Sequence, residues 1–389
     1  MDLPYRMYDA DNHFYESPDA FTRHLPANRR NDMFWFTDER GHRHYMVNGR
    51  WWNYIPNPTW DPVSRPGSMG DMFAGRRSAS EVDAFKVVEP LANHPEYQDR
   101  DLRVRSLDEQ NVEATVLFPT NVTGLEEAAR ENLPLAVDLV WAFNQWLEET
   151  WGFNYQGRLY TTAVISLSDV HEAVRTLEWA LDRGCRAVQI RPGPVPTVAG
   201  YRSPGDPEFD PFWARAQEAG VLVCSHVADS GYNRYAGDYT GVYWFKSLRR
   251  NPFEQIVTHG RPIMDYLTAL ICHGTLARFP DLKIISVENG CDWVDYLLMQ
   301  LKTFHSRYGA SFPVDPVEAF ERNVYLSPFW EEDIVGLATR MPVEHILAGS
   351  DYPHAEGLKE PTDFVKGLSE FSEADQRKIM RSNLLSLLV

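Results

Sequence analysis

Two short apolar runs, one near each end of the chain, are followed directly by acidic and histidine residues. Asp11 and His13 come after the run that begins at Met7, and Asp351 comes after the run Ile346–Ala348. Carboxylate and imidazole groups are common ligands of zinc, manganese and iron. Asp11 and His13 are two positions apart, so their side chains point to one face of an extended strand. The pattern predicts a metal-dependent enzyme.

Three further apolar runs end in residues that can bind a metal, titrate or bind an anion. These residues are Arg191, His226 and Glu288. A single histidine after a strand is usually a structural residue, and a single aspartate there is usually a helix cap. Several such residues, each at the end of a strand and in the order of the strands, are hard to explain as caps. The joint pattern therefore favours a metal site.

Four residues are candidates for further roles in or near the site. Arg191 leaves a buried run and could bind an anionic substrate group through its guanidinium, or form a structural ion pair with a site acid. His273 lies between an apolar helical stretch and Gly274, which is consistent with a catalytic or ligand role and also with a helix C-terminal cap. His259 and His354 could line the mouth of the site.

Such a site needs parallel strands whose carboxyl ends meet. Eight short, continuously apolar runs fit strands that are buried on both faces. The predicted strands are Met7–Ala10, Ala114–Phe118, Leu159–Ile165, Ala187–Ile190, Val221–Ser225, Lys283–Val287, Val324–Leu326 and Ile346–Ala348.

Amphipathic stretches with apolar residues three or four apart lie between these runs. The predicted helices are Glu126–Trp151, Asp169–Arg183, Asp210–Glu218, Ile263–Phe279, Asp292–Tyr308, Glu331–Arg340 and Thr362–Leu388. Eight strands that alternate with helices predict an α/β fold, specifically a (β/α)8 TIM barrel with catalytic groups at the C-terminal strand ends. No Gly-x-Gly-x-x-Gly follows the first strand, which argues against a dinucleotide-binding fold.

An aromatic-rich insertion follows the first strand. We expect residues 1–389 to form a single barrel that carries residues 30–104 as an inserted cap or lid, called the cap region below. Alternation over Met33–Phe36 and His44–Val47, with Asn48-Gly49 nearby, predicts a β-hairpin within it. The aromatic side chains could contact substrate, form a core of the region itself or form an oligomer contact.

Composition narrows the class of function. The 389 residues carry a formal charge of −17, which disfavours binding to nucleic acid or to an anionic membrane. The first residues lack a signal-peptide pattern, and no apolar run reaches the roughly 18 residues of a membrane span. Four scattered cysteines indicate buried thiols rather than disulfides. We expect a cytoplasmic enzyme that acts on a small molecule.

Several motifs together resemble those of the amidohydrolase-related family of metal-dependent TIM-barrel enzymes. They are Asp9-Ala10-Asp11-Asn12-His13, the strand ending in His226, Arg278-Phe279-Pro280-Asp281-Leu282-Lys283, Glu288-Asn289-Gly290 and Gly349-Ser350-Asp351-Tyr352-Pro353-His354. The resemblance spans the chain apart from the insertion. It implies that Asp11, His13, His226 and Asp351 hold a divalent transition metal (Zn, Fe or Mn), and the family habit favours a homodimer.

The family contains hydrolases and also non-oxidative decarboxylases of aminocarboxymuconate semialdehyde and hydroxylated benzoates. This chain departs from the decarboxylase pattern in two places. Its first motif is Asp-x-His rather than His-x-His or Glu-x-His, and its sixth strand delivers Glu288 where a histidine is common. Glu288 could bind a second metal ion, act as an acid or base, or orient His273.

The leading hypothesis is hydrolysis of an ester, thioester, amide or lactone of a largely apolar substrate by a water that the metal activates. In this mechanism Asp351 is the general base, and Glu288 or His273 protonates the leaving group. The alternative is metal-dependent decarboxylation of an aromatic or unsaturated carboxylic acid.

Overall fold

The structure is a computed structural model that describes residues 3–52, 54–55, 57–78, 87–243 and 251–389. Asn53, Pro56 and residues 79–86 of the predicted cap region lie outside the described residues. The predicted (β/α)8 barrel is confirmed. Its regular strands, all paired in parallel, are Met7–Phe14, Val112–Pro119, Leu159–Thr161 continued by Ala163–Ile165, Ala187–Ile190, Leu222–His226, Lys283–Val287 and Val324–Leu326.

Residues 346–352 take the eighth position and close the barrel. Ile346 pairs with Leu326 on one side, and Tyr352 pairs with Asn12 on the other, both in parallel orientation. The predicted eighth strand is therefore an extended segment with single bridges at its ends rather than a regular ladder. The closure joins the two ends of the chain that carry the metal-ligand motifs.

Alternate residues of the strands fill the barrel interior. This inner core is almost entirely apolar and comprises Tyr8, Ala10, Ala114, Val116, Phe118, Tyr160, Ala187, Leu222, Cys224, Ile285, Val287 and Leu347. Intervening residues such as Val188, Val223 and Ile284 pack outward against the helices. Full burial of one large apolar side chain stabilises the fold by about 1.5–3 kcal/mol, so both layers favour this one strand register.

Helices cover the outside of the barrel. The first of them, Arg100–Glu109, begins within the last residues of the cap region. The others are Leu125–Ala129, Leu133–Thr150, Val170–Leu181, Asp210–Ala219, Tyr232–Thr240, Pro252–Thr258, Arg261–Cys272, Thr275–Arg278, Trp293–Tyr308, Pro316–Asn323, Ile334–Leu337, Glu373–Arg377 and Asn383–Leu388. The stretch predicted as one helix, Ile263–Phe279, is two helices because Gly274 has a φ of +79°, which ends the first. In the part of the chain that the structure describes, no helix has the length and apolarity of a membrane span.

The described cap region contains a small antiparallel sheet of Met33–Thr37, Arg43–Val47 and Arg50–Trp52. The predicted hairpin is thus present. Tyr45 and Trp52 are buried and pack against Phe21, which in turn stacks on Phe143 of a barrel helix with ring centroids 5.1 Å apart. Part of the aromatic content therefore forms a core that fixes the region to the barrel.

Candidate metal centre

The first strand carries an irregularity that turns two predicted ligands inward. Tyr8 and Ala10 already face the barrel interior, so strict alternation would point Asp11 and His13 outward. The register with the second strand shifts between Asp9 and Asn12. Such a bulge reverses the alternation, and Asp11 and His13 lie buried at the C-terminal end of the barrel.

Two further predicted ligands have a left-handed backbone, which is rare for residues other than glycine. Glu288 follows the sixth strand with a φ of 53°, and Asp351 has a φ of 55°. Such strained residues persist where the surrounding structure holds them, and they concentrate at functional sites. The turn directs both carboxylates back over the strand ends.

The structure brings five predicted residues together in one buried cluster. The Nε2 atom of His13 lies 3.2 Å from Nε2 of His226, 3.3 Å from Oδ1 of Asp11 and 3.5 Å from Oδ1 of Asp351. Oε2 of Glu288 lies 3.0 Å from Nε2 of His226. The donor atoms of Asp11, His13, His226 and Glu288 all lie within 4.8 Å of one another.

Hydrogen bonds fix the tautomer of both imidazoles. Nδ1 of His226 lies 2.9 Å from the carbonyl oxygen of Val227, which can only accept, so this nitrogen carries the proton. The hydroxyl of Thr120 donates to the carbonyl of Phe14 at 3.1 Å and can accept from Nδ1 of His13 at 3.3 Å. Both Nε2 lone pairs then point into the cluster. In metal-bound histidines, too, the ring nitrogen that does not bind the metal donates a hydrogen bond to a neighbouring oxygen.

The cluster fits a divalent cation. Two facing lone pairs at 3.2 Å repel each other unless a cation lies between or beside them. Within the described residues, Oδ1 of Asp11 and Oδ1 of Asp351 are buried, and the nearby imidazole nitrogens are not aligned with either oxygen for a regular hydrogen bond. Buried carboxylate oxygens without donors are costly unless a cation compensates them. Three carboxylates and two imidazoles suit zinc, manganese or iron.

The pKa values of His13 and Asp351 also indicate that positive charge stabilises the cluster. Burial opposes the charged form of His13, but hydrogen bonds and charge from Asp11 and Glu288 outweigh it and raise its pKa to about 9. Burial raises the pKa of Asp351 well above its usual value, and the charge of Glu288 adds to this effect. Without a metal ion, protons take the place of a bound cation.

A buried aspartate ties the two chain ends together beneath the cluster. Oδ1 of Asp9 accepts the backbone N–H of Ser350 at 2.9 Å and that of Asp11 at 3.2 Å. Its Oδ2 accepts the hydroxyl of Ser350 at 2.6 Å and the amide of Asn12 at 3.0 Å. The backbone N–H of Asp351 also donates to the carbonyl of Asp11 at 2.8 Å. Asp9 is therefore a positioning residue for ligands from both ends of the chain.

A second buried carboxylate positions Thr120. Oε1 of Glu16 accepts the backbone N–H groups of Thr120 and Asn121 at 2.9 and 2.7 Å. Burial raises the pKa of Glu16 to about 7 despite these hydrogen bonds. The Thr120 hydroxyl also lies 3.3 Å from Nε2 of His354, so it contacts two imidazoles at once.

His354 belongs to the centre, although only a position at its mouth was considered for it from the sequence. Its ring stacks on that of His13 with centroids 4.0 Å apart, and its Nδ1 lies 2.6 Å from Oδ1 of Asp351. Burial, together with the charge of His13, lowers its pKa well below the usual value. Glu356, on the same loop, lines the cavity, and burial raises its pKa to about 7. The sequence feature that could have placed His354 in the centre is its position three residues after the predicted ligand Asp351.

A cavity of about 810 Å³ opens above the cluster. Its base contains His13, His226 and Glu288. The cap region contributes much of the remaining lining, which is largely apolar or aromatic and includes Tyr54, Ile55, Trp60, Val63, Val88 and Leu91. Some aromatic residues of the cap region therefore face the cavity, whereas others form the core of the cap region itself.

The structure corrects the substrate-binding prediction for Arg191. Its guanidinium is buried and lies 3.5 Å from carboxylate oxygens of both Glu126 and Glu127. It also donates to the carbonyl of Pro194 at 2.7 Å. Burial would lower its pKa, but the two glutamates reverse the effect and raise it. Arg191 is committed to a structural ion-pair cluster, and its partners are not the site acids.

The structure also corrects the catalytic prediction for His273. This residue is exposed and follows the helix Arg261–Cys272, at the helix end that leads towards the amino end of the sixth strand. Its Nδ1 contacts the hydroxyl of Ser203 at 2.5 Å. The helix-cap alternative fits this position, and Glu288 does not orient His273. His259 packs near Phe329, with ring centroids 6.3 Å apart, rather than in the cluster.

Comparisons with known proteins match this architecture. A family model described as "Amidohydrolase" matches residues 8–385. The chain is similar to an amidohydrolase from Mycobacterium avium subsp. paratuberculosis K-10, at 40% identity and a TM-score of 0.94, over 100% of this chain and 99% of that one.

More distant structures share the fold. One is a dihydroxybenzoic acid decarboxylase from Polaromonas sp. JS666 with bound manganese and 2-nitroresorcinol, at 17% identity and a TM-score of 0.58, over 99% of this chain and 97% of that one. Another is a 5-carboxyvanillate decarboxylase from Sphingomonas paucimobilis, at 16% identity and a TM-score of 0.59, over 99% of both chains. The family match over nearly the whole chain shows that this protein belongs to the amidohydrolase family and is an enzyme of that superfamily.

Proposed function

We propose that the protein is a metal-dependent hydrolase that cleaves an ester, thioester, amide or lactone bond of a small, largely apolar substrate. The observation that carries the proposal is the grouping of Asp11, Glu288 and Asp351 around two facing imidazole nitrogens at the base of the cavity. A divalent ion bound there would lower the pKa of a water from 15.7 to about 7 and polarise a carbonyl group.

The charge of the site supports a neutral carbonyl substrate. Three carboxylates surround the imidazoles, and Glu356 adds a fourth acidic group to the cavity lining. One divalent ion would leave the three carboxylates with an excess of negative charge, which disfavours a carboxylate substrate at short range. Two divalent ions would leave a formal charge of +1 with the three carboxylates, or zero if Glu356 is also ionised, so the preference for a neutral substrate holds for a site with one ion. An uncharged ester or amide is accepted in either case.

Residues of this chain can carry the proton transfers. Asp351 reaches the cluster through Oδ1 and is proposed to accept a proton from the attacking water, a contribution typically worth about 10²–10⁴-fold. His354, 2.6 Å from the same oxygen, can pass that proton outward to the cavity. The leaving group is proposed to receive this same proton from His354. Burial opposes the charged form of Glu288, but hydrogen bonds and charge from His13 and His226 outweigh it and hold the pKa of Glu288 well below its usual value. Glu288 therefore carries no proton to donate and is proposed as a metal ligand instead.

Decarboxylation of an aromatic or unsaturated acid is the second candidate. The structural likeness to two decarboxylases, one with bound manganese, supports it about as well as the family match supports hydrolysis. The cavity's aromatic lining accommodates such a ring. The acidic ligand set described above is the reason that hydrolysis is preferred.

One experiment decides between the two reactions and tests the role of Asp351. Protein reconstituted with zinc, manganese or ferrous iron is assayed with aryl esters, acyl thioesters and lactones, and separately for carbon dioxide release from hydroxybenzoates. Asp351→Asn is compared with Asp315→Asn, since Asp315 is an aspartate at a helix N-terminus that does not line the cavity. We expect hydrolysis by the wild type and by Asp315→Asn, and a loss of at least about 10²-fold in kcat for Asp351→Asn.

Two outcomes contradict the proposal. Carbon dioxide release without cleavage of any ester, thioester or lactone selects decarboxylation. Near-normal turnover by Asp351→Asn removes the assigned base, provided that circular dichroism shows both variants to be folded.

A further inference from the structure

The cavity has opposite electrostatic character at its base and at the tip of the cap hairpin. Among the described residues that line it, the carboxylates are Asp61, Glu288 and Glu356, and Arg43 is the one lysine or arginine. Glu288 belongs to the metal cluster at the base. Arg43 begins a strand of the cap sheet, directly after the turn at Gly41 and His42.

Arg43 is exposed, lines the cavity and carries a guanidinium that can contact an anion there. Its neighbours His42 and His44 both face the carboxylate of Asp38, at 3.7 and 3.1 Å. Asp38 also accepts the backbone N–H groups of Arg40 and His42. Within the part of the chain that the structure describes, Arg43 forms no ion pair. An arginine in that position can bind a carboxylate or phosphate with its two-pronged guanidinium.

An aromatic wall extends from the metal cluster into the cavity. The ring of His354 stacks on His13, and Tyr15 lies parallel to His354 with centroids 6.0 Å apart. Trp60 then stacks on Tyr15 with centroids 4.4 Å apart. Tyr15, Trp60 and His354 all line the cavity. The wall offers an apolar path for the body of a substrate.

We infer that the substrate carries an anionic group on its end distal to the scissile carbonyl, and that Arg43 binds this group. With one divalent ion bound, the base of the cavity keeps an excess of negative charge that repels the anion and accepts the uncharged carbonyl. Arg43 attracts the anion, so the two ends set the direction of binding. Asp61 also lines the cavity, and its Oδ1 accepts the backbone N–H of Leu91 at 3.2 Å, which stabilises its negative charge without removing it. This inference rests on the proposed function, because it assumes that the carbonyl binds at the metal cluster.

Binding of hydroxamates to the zinc-loaded protein tests the inference without reference to turnover. The probes are monohydroxamates of straight-chain dicarboxylic acids in several lengths, each paired with the analogue whose distal carboxylate is a carboxamide. The pair has the same shape and differs in charge. Isothermal titration calorimetry gives Kd for the wild type, for Arg43→Gln and for Arg40→Gln, since Arg40 lies in the same turn but does not line the cavity.

We expect the carboxylate probe to bind about two- to five-fold more tightly than its carboxamide at one chain length, as is usual for an exposed ion pair. The preference should disappear in Arg43→Gln, persist in Arg40→Gln and weaken at high salt. Equal binding of the paired probes at every length, or a preference that survives Arg43→Gln, overturns the assignment of Arg43 and leaves the proposed function intact. If neither probe series binds the zinc-loaded protein, the metal site fails, and the proposed function and this inference fail with it.

Discussion

The hydroxyl of Thr120 offers a sharp test of how the site is held. Thr120→Val keeps the shape of the side chain but removes the oxygen that lies 3.3 Å from Nδ1 of His13 and 3.3 Å from Nε2 of His354. It also removes the donor to the carbonyl of Phe14. The imidazole of His13 then loses the contact that fixes its tautomer and its ring orientation.

The expected magnitude follows from these contacts. Loss of a hydrogen-bond partner of a metal-binding histidine typically weakens metal binding by about 10- to 100-fold, which corresponds to about 1.4–2.8 kcal/mol. The buried N–H of His13 and the carbonyl of Phe14 also lose a partner, and each such loss costs about 1–3 kcal/mol of stability. We therefore expect both weaker metal binding and a lower Tm for Thr120→Val.

Thr115→Val is the matched control. Thr115 lies on the strand Val112–Pro119, which ends directly before Thr120. It is fully buried and donates to the backbone carbonyl of Val116 at 2.9 Å, not to a group of the metal centre. Metal affinity is measured by competition with a chromophoric chelator, and stability by thermal unfolding of the metal-free proteins. Thr115→Val should lose stability alone. If Thr120→Val binds metal as tightly as Thr115→Val, the proposed support of His13 by Thr120 is wrong.

Two further predictions concern residues away from the cluster. His273→Ala should retain wild-type kcat/KM, because His273 is an exposed helix-end residue that contacts Ser203; a loss of 10-fold or more would restore it to the site. Burial raises the pKa of Glu16 in the folded protein to about 7 from its ordinary 4.5. The protonated carboxyl group therefore stabilises the folded state fully below pH 4.5, and this stabilisation is lost as the pH rises through 7. The shift corresponds to about 3 kcal/mol. Glu16→Gln should therefore flatten the decline of unfolding free energy between pH 5 and 8, as measured by urea denaturation at each pH, and an unchanged slope would contradict the assignment.

The barrel could be predicted from the sequence because its strands are short apolar runs with clear boundaries. The predicted bounds of Ala187–Ile190, Lys283–Val287 and Val324–Leu326 match the structure. The long predicted helix Thr362–Leu388 does not, since it consists of short helical segments with different hydrogen-bond patterns. The spacing of apolar residues indicates which face of a helical stretch is buried, but it does not indicate where one helix ends and the next begins.

The residues that were placed wrongly or missed from the sequence depend on tertiary partners. Arg191 leaves a barrel strand as predicted, but its partners Glu126 and Glu127 come from a distant helix, and nothing in the local sequence indicates that pairing. Thr120 is an ordinary hydroxyl residue until the barrel places it between His13 and His354.

The spacing of Asp11 and His13 predicts a shared face, but the inward direction of that face has a different physical basis. Spacing alone fixes that the two share a face, whereas the bulge between Asp9 and Asn12 decides that this face is the interior. A bulge has no reliable signature in a single sequence, so this feature required the structure.

The central claim is that the buried cluster holds a divalent transition metal. The most direct measurement is the metal content of the purified protein by inductively coupled plasma mass spectrometry, for the wild type and for His226→Ala. His226 supplies one of the two facing Nε2 atoms and is buried. We expect one or two equivalents of zinc, manganese or iron in the wild type and a clear loss of bound metal in folded His226→Ala. A wild type that retains no such metal after reconstitution, or a variant that retains the full amount, would contradict the central claim.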